Sequence, residues 1–90
     1  MHVLKYSKQF KKDLKRFSND KVILLKLEYL LDFLVANEKI DKKYHKHSLS
    51  GEFKNCKECH IQPDLLLVYR VKNSELLILL IRFDSHSEIF

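Results

Sequence analysis

The sequence predicts a small α+β domain of order β-α-α-β-β-β, with two N-terminal helices packed on an antiparallel sheet. Three observations predict it. Apolar residues recur at helical spacing through the first part of the chain and switch to strand-like runs after His47. The 90 residues contain one Gly and one Pro, which argues against disorder and against a turn-rich sandwich. Hydrophobic residues make up 46% of the chain, enough for the dense core that a domain of this size needs. Ninety residues accommodate one domain, 1–90, and no linker, repeat or low-complexity stretch divides them.

His2 to Tyr6 reads as a short first strand, and Ser7 as the N-cap of the helix that follows. In that helix Phe10, Leu14 and Phe17 fall on one side. Lys8, Lys11, Lys12 and Lys15 fall on the other, with Arg16 at the edge. Asn19 or Asp20 caps a second helix that runs to about Ala36 or Asn37. Its circumference is mostly apolar, broken by Lys26, Glu28 and Asp32, so it is the expected main helix on the sheet. Asn37 to Lys46 is polar and connective.

Beyond His47 the reading is of strands. Lys57 to Ile61 alternates, Pro63-Asp64 turns, Leu65 to Val71 is strongly apolar, and Lys72-Asn73-Ser74 turns again. Glu75 to Phe83 is apolar on both faces and is expected to lie inside the sheet. Asp84 to Phe90 reads as a polar tail ending in an aromatic.

Charge is uneven along the chain. Residues 1–46 hold twelve Lys or Arg and six Asp or Glu, a net +6, whereas residues 47–90 hold five and six, a net −1. Such a bias suits a polyanionic partner for the first half; a solvated basic face is the alternative. No apolar run spans a bilayer, and Met1 to Lys5 lacks the plan of a signal peptide. The expectation is a cytoplasmic protein without a membrane partner.

Cys56-Lys57-Glu58-Cys59-His60 has the form of a haem-attachment motif. Strand alternation sends Cys56 and Cys59 to opposite faces, which disfavours haem, zinc and a disulfide between them. No cofactor is expected. The five histidines carry more information, because His45, His47, His60 and His86 all lie in or beside the second half. His60 ends a strand near Asp64, and His86 follows the last strand; antiparallel pairing brings such ends together. Histidines with an Asp beside a basic surface suit RNA cleavage. One group takes the 2′-hydroxyl proton, another protonates the departing 5′-oxygen, and cations such as Lys57 and Arg82 hold the phosphate. A metal site of His47, His60, Asp64 and His86, or purely structural histidines, remain open on this reading.

Four segments resemble the YafQ-type toxins of the RelE/ParE superfamily. They are Ser7-Lys8-Gln9-Phe10-Lys11-Lys12-Asp13, His47-Ser48-Leu49-Ser50-Gly51, the run from Glu58 to Tyr69 around His60 and Pro63-Asp64, and Arg82 to Phe90 around His86. The resemblance spans nearly the whole chain. It implies a RelE-like fold and a type II toxin neutralised by an acidic, co-encoded antitoxin. It further implies an endoribonuclease that cuts mRNA in the ribosomal A site without metal. His47, His60, Asp64 and His86 match the family's active-site positions, Arg82 matches a basic position near the scissile phosphate, and Phe90 matches a terminal aromatic suited to stacking on a base. Lys8, Lys11, Lys12, Lys15 and Arg16 would then rest on ribosomal RNA. Two positions depart from the pattern: Asp84 stands where Gly is usual, and Lys57 where Arg is usual. A ribosome-independent RNase, a ParE-like inhibitor that binds gyrase, and a degenerate toxin kept as a binding module are the alternatives. The histidine set weighs against a pure binder.

Overall fold

The computed structural model describes residues 2–36, 47–49 and 51–90, with the backbone alone at His47, Ser48 and Glu52. Asn37 to Lys46, the expected polar connection that includes His45, lies outside the described residues. The elements are β1 (Val3–Tyr6), α1 (Lys8–Lys15), α2 (Lys21–Val35), β2 (His47–Ser48), β3 (Lys57–Gln62), β4 (Leu65–Lys72), β5 (Leu77–Asp84) and α3 (His86–Ile89). The strands form one sheet in the order β1-β5-β4-β3-β2. From β2 to β5 the pairing is antiparallel, as the sequence predicts. The first strand departs from that expectation by joining β5 in parallel, Val3 opposite Leu77 and Tyr6 opposite Leu80. A parallel partner requires a long crossover, and the two helices and β2 to β4 lie within it.

Ser7 ends β1 and starts α1. Its hydroxyl accepts from the Phe10 amide and donates to the Ile81 carbonyl, at 2.9 and 2.7 Å. β1 covers the outer edge of β5 only as far as Leu80, and α1 covers the remainder. The Ser7 amide donates to the Leu80 carbonyl, and the Phe83 amide donates to the Asp13 carboxylate at 2.9 Å. An edge that would otherwise present unpaired backbone groups is thereby closed by a strand and then a helix.

In α2, Asp20 is the cap, accepting from the Ile23 amide. The buried stripe is Ile23, Leu27, Leu30 and Leu34, at helical spacing. It packs with Phe10 of α1 onto Cys59, Ile61, Leu67, Tyr69, Ile78, Leu80 and Phe83 of the sheet. The helix is less enclosed than its composition predicts, because Val22, Leu25 and Tyr29 face solvent.

β4 is the strand enclosed on both faces, and it occupies the middle of the sheet. β5, expected inside the sheet, has β4 on one side and β1 on the other. The opposite face of the sheet carries a smaller cluster of Cys56, Leu66, Val68 and Ile89, with Leu49, Phe53 and Ile81 against it. Ile89 reaches it from α3, a single helical turn in the segment that the sequence presents as a polar tail. Four residues are too few to show helical periodicity, which is why the pattern misses this turn. Cys59 belongs to the helix-side core and Cys56 to the smaller cluster, so the two thiols do occupy opposite faces. No helix is long and apolar enough to cross a membrane among the described residues.

Candidate active site

The face of the sheet away from α1 and α2 carries most of the candidate site. Antiparallel partners share a face, so the register assembles two transverse rows. His47, Glu58, Val68 and Arg82 form one, and His60, Leu66 and Asp84 form the next. His47 therefore takes its place by backbone pairing with Glu58; its side chain lies outside the described part. His60 is half-buried, and its Nε2 lies 3.7 Å from Glu58 Oε1. Glu58 itself is buried, and its second oxygen, Oε2, has no hydrogen-bond partner among the described residues. An unsatisfied buried carboxylate oxygen is costly to hold. This one stands on the face that carries His60.

At the end of the rows, the turn after β3 brings Asp64 to α3, and the His86 amide donates to Asp64 Oδ1 at 3.4 Å. Asp64 and His86 are thus neighbours, as the strand-end argument predicts. The His86 ring packs against Phe90 at a centroid distance of 5.0 Å, and Phe90 meets Phe53 edge-on at 5.5 Å. Phe90 is half exposed, so an aromatic face remains available at the rim.

Two expected phosphate ligands are placed differently from one another. Arg82 begins on the site face, but its guanidinium turns back to α1 and holds Asp13 with Nε at 2.8 Å and Nη2 at 3.3 Å. Burial opposes the charged form of Asp13. The Arg82, Phe83-amide and Gln9 hydrogen bonds, with the Arg82 charge, outweigh it and keep the carboxyl below its ordinary range. Lys57 pairs with Tyr69 and shares the parity of Cys59 and Ile61, so it leaves the sheet on the face opposite His60.

The sequence reading missed three residues. Glu58 was visible in the motif around His60 but carried no signal of its burial. Phe53 sits in a short 3-10 turn, Gly51–Phe53, with no periodicity to reveal it. Arg70, two residues beyond Val68 on the same face, is close enough for its charge to act on Cys56. Burial dominates at that thiol and pushes its pKa up, and Cys56 packs in the smaller cluster. Asp84, the departure noted beside the expected phosphate site, is buried and bonded to Arg16 at 2.5 Å. Among the described residues no group of three or more His, Cys, Asp or Glu is arranged to hold a metal ion. Lys8, Lys11, Lys12, Lys15 and Arg16 are all exposed on α1.

A family model described as the bacterial toxin of a type II toxin–antitoxin system, YafQ, matches residues 2–90. The chain belongs to the YafQ family. The mRNA interferase toxin YafQ of Escherichia coli K12 is 30% identical over 91 residues, covering 97% of this chain and 94% of that protein. The putative toxin YafQ of Haemophilus influenzae is 38% identical over 71 residues, 72% of this chain and 67% of that one. Among solved structures, a metal-bound toxin from Helicobacter pylori superposes with a TM-score of 0.91 at 40% identity over the whole of both chains. YafQ in the E. coli DinJ–YafQ complex superposes at 0.86 and 28% identity, covering 100% of this chain and 99% of that one. The fold and the family that the four sequence segments imply are therefore those of YafQ toxins.

Proposed function

We propose that this YafQ-family chain is an mRNA endonuclease, cutting by acid–base chemistry on the helix-free face of its sheet. The observation that carries the reading is the grouping there of buried Glu58, one oxygen of which has no hydrogen-bond partner among the described residues, beside His60, with the His47 backbone paired to Glu58 and Asp64 with His86 at the strand end. In the reaction a base removes the proton of a 2′-hydroxyl, and O2′ attacks the adjacent phosphorus. The bond to the 5′-oxygen then breaks as an acid supplies that oxygen with a proton. His86 is assigned a direct proton transfer. His60, polarised by Glu58 or by Asp64, supplies the complementary step, and His47 joins them. Lys57 leaves the sheet on the other face and Arg82 is held by Asp13, so Arg70, on the same face as His60, is assigned the phosphate. Phe90 offers its ring to a base.

The partner is an acidic, co-encoded antitoxin, in keeping with the E. coli DinJ–YafQ complex. The substrate is mRNA in the ribosomal A site of the cytoplasm, with the α1 lysines against ribosomal RNA. No metal enters the reaction.

The deciding experiment compares cleavage of a short RNA alone with cleavage on programmed ribosomes, for the native chain and for His60→Ala, His86→Ala and Glu58→Gln. Loss of each acid–base group is expected to lower kcat by about 100-fold or more, with activity surviving EDTA and confined to ribosomes. A folded His60→Ala/His86→Ala protein that cuts at the native rate would sink the acid–base reading. Cutting of free RNA at an equal rate would replace the ribosome-dependent reading by the ribosome-independent one.

A further inference from the structure

Four charged side chains form a continuous series of alternating sign between α1 and the end of β5. Arg16 Nη1 meets Asp84 Oδ2 at 2.5 Å. The same Asp84 oxygen lies 3.8 Å from Arg82 Nη2. Arg82 in turn holds both oxygens of Asp13. The two carboxylates are almost wholly enclosed, Asp13 being 2% and Asp84 3% exposed. Burial on that scale demands that each oxygen be paired, and here each is. Asp13 takes the Phe83 amide and Gln9 as well, and Asp84 Oδ1 takes the Ser85 amide at 2.8 Å.

The place of this series matters more than its strength. Both outer members, Asp13 and Arg16, belong to α1 and its C-cap, and both inner members belong to the last residues of β5. The residue bonded through its amide to Asp84 is Ser85, the N-cap of α3, whose hydroxyl accepts from the Glu88 amide at 3.3 Å. The next residue is His86. Asp84 therefore grips the backbone one residue ahead of the histidine while being gripped from α1. A glycine at this position would have no side chain to bind either the Ser85 amide or Arg16.

We propose that Asp84, clamped by Arg16 and Arg82, is a positioning residue that fixes the β5–α3 junction to α1 and so presents His86 beside Asp64. Asp13 holds Arg82 as the hub of the clamp. In this arrangement the Arg82 guanidinium works as an anchor for the helix. The proposal rests on His86 taking part in the reaction.

The test uses the full chain with Asp84→Gly and Asp84→Asn. It reads kcat and KM on programmed ribosomes, the denaturant midpoint, and the His86 ring signals by NMR across a pH titration. For Asp84→Gly, kcat is expected to fall at least tenfold with KM within about twofold, while the His86 signals broaden or shift and those of His60 hold. Asp84→Asn keeps an acceptor for Ser85 and loses the charge, so it should fall between native and Asp84→Gly; it carries the test if the glycine variant unfolds. Native-like His86 signals and native kcat in the folded variants would overturn the proposal. Should His86→Ala keep full activity, the chemical reading fails on its own account, and the NMR signals still decide whether Asp84 places the ring.

Discussion

At the scale of single residues, the environment of a carboxylate decides its use. Asp13, Asp84 and Glu58 are all buried. The first two have every oxygen bonded, whereas Glu58 keeps one oxygen without a partner among the described residues. The saturated pair holds the fold together, and the unsaturated residue belongs to the proposed chemistry. Asp13 also predicts how stability depends on acid. Its folded pKa lies below the value of an unfolded chain, near 4. Its contribution is therefore complete above that pH and is lost as pH falls through the folded value. An Asp13→Asn variant should be less stable than the native protein at pH 7 by about 2 kcal/mol, the scale of hydrogen bonds to a charged group. The two proteins should converge as the pH falls through the folded value. Urea melts at a series of pH values measure both; a constant difference down to pH 2 would mean that Asp13 is not ionised in the fold. In the sequence, Asp13 was one acidic residue among lysines. Its role depends on a partner at position 82, and no local pattern reports a contact of that range.

Among the elements, α1 was read most accurately and α3 least. The helix from Lys8, its Ser7 cap and its division into a basic face and an apolar face were all legible, because each depends on spacing within a few residues. The strands from Lys57 onward were legible for the same reason. The parallel placement of β1 was not, since a four-residue strand carries no information about direction or partner. The site was half legible: His60, Asp64 and His86 stand in motif blocks, whereas Glu58, Phe53 and Arg70 acquire their meaning only when strands pair. Ser7 joins the two kinds of information, capping α1 locally and bonding Ile81 at long range. Ser7→Ala should cost about 1–2 kcal/mol, at the upper end for a lost cap because a second bond goes with it. Thermal unfolding checks this; a loss no larger than that of an exposed Ser→Ala control, such as Ser18→Ala, would show that neither bond matters.

For the molecule as a whole, charge is sorted by position in the fold. Lys8, Lys11, Lys12 and Lys15 of the first half line the exposed side of α1, and that helix lies along the edge of β5, which leads directly to α3. The proposed binding to ribosomal RNA through this surface should weaken steeply with salt, because each neutralised phosphate releases a counterion. Replacing Lys8, Lys11, Lys12 and Lys15 together by Ala should lower the slope of log affinity against log salt by roughly 3, at about 0.7–0.9 per phosphate contact. It should leave the thermal midpoint nearly unchanged. Filter binding to ribosomes from 50 to 300 mM salt, on the order used for such plots, checks this; an unchanged slope would mean that the basic face serves only solubility.

The parallel ladder between β1 and β5 also has a consequence in time. Ser7 must find Ile81, 74 positions later, before α1 has an anchor, and contacts of such separation are slow to close because the entropy of the intervening loop is lost before they form. During synthesis, the earliest strand waits for the latest one. Until β5 leaves the ribosome, Phe83 has no Asp13, Asp84 has no Arg16, and the segment carrying His86 has nothing to hold it. The order of synthesis therefore delays assembly of the histidine site until nearly all of the described fold has emerged.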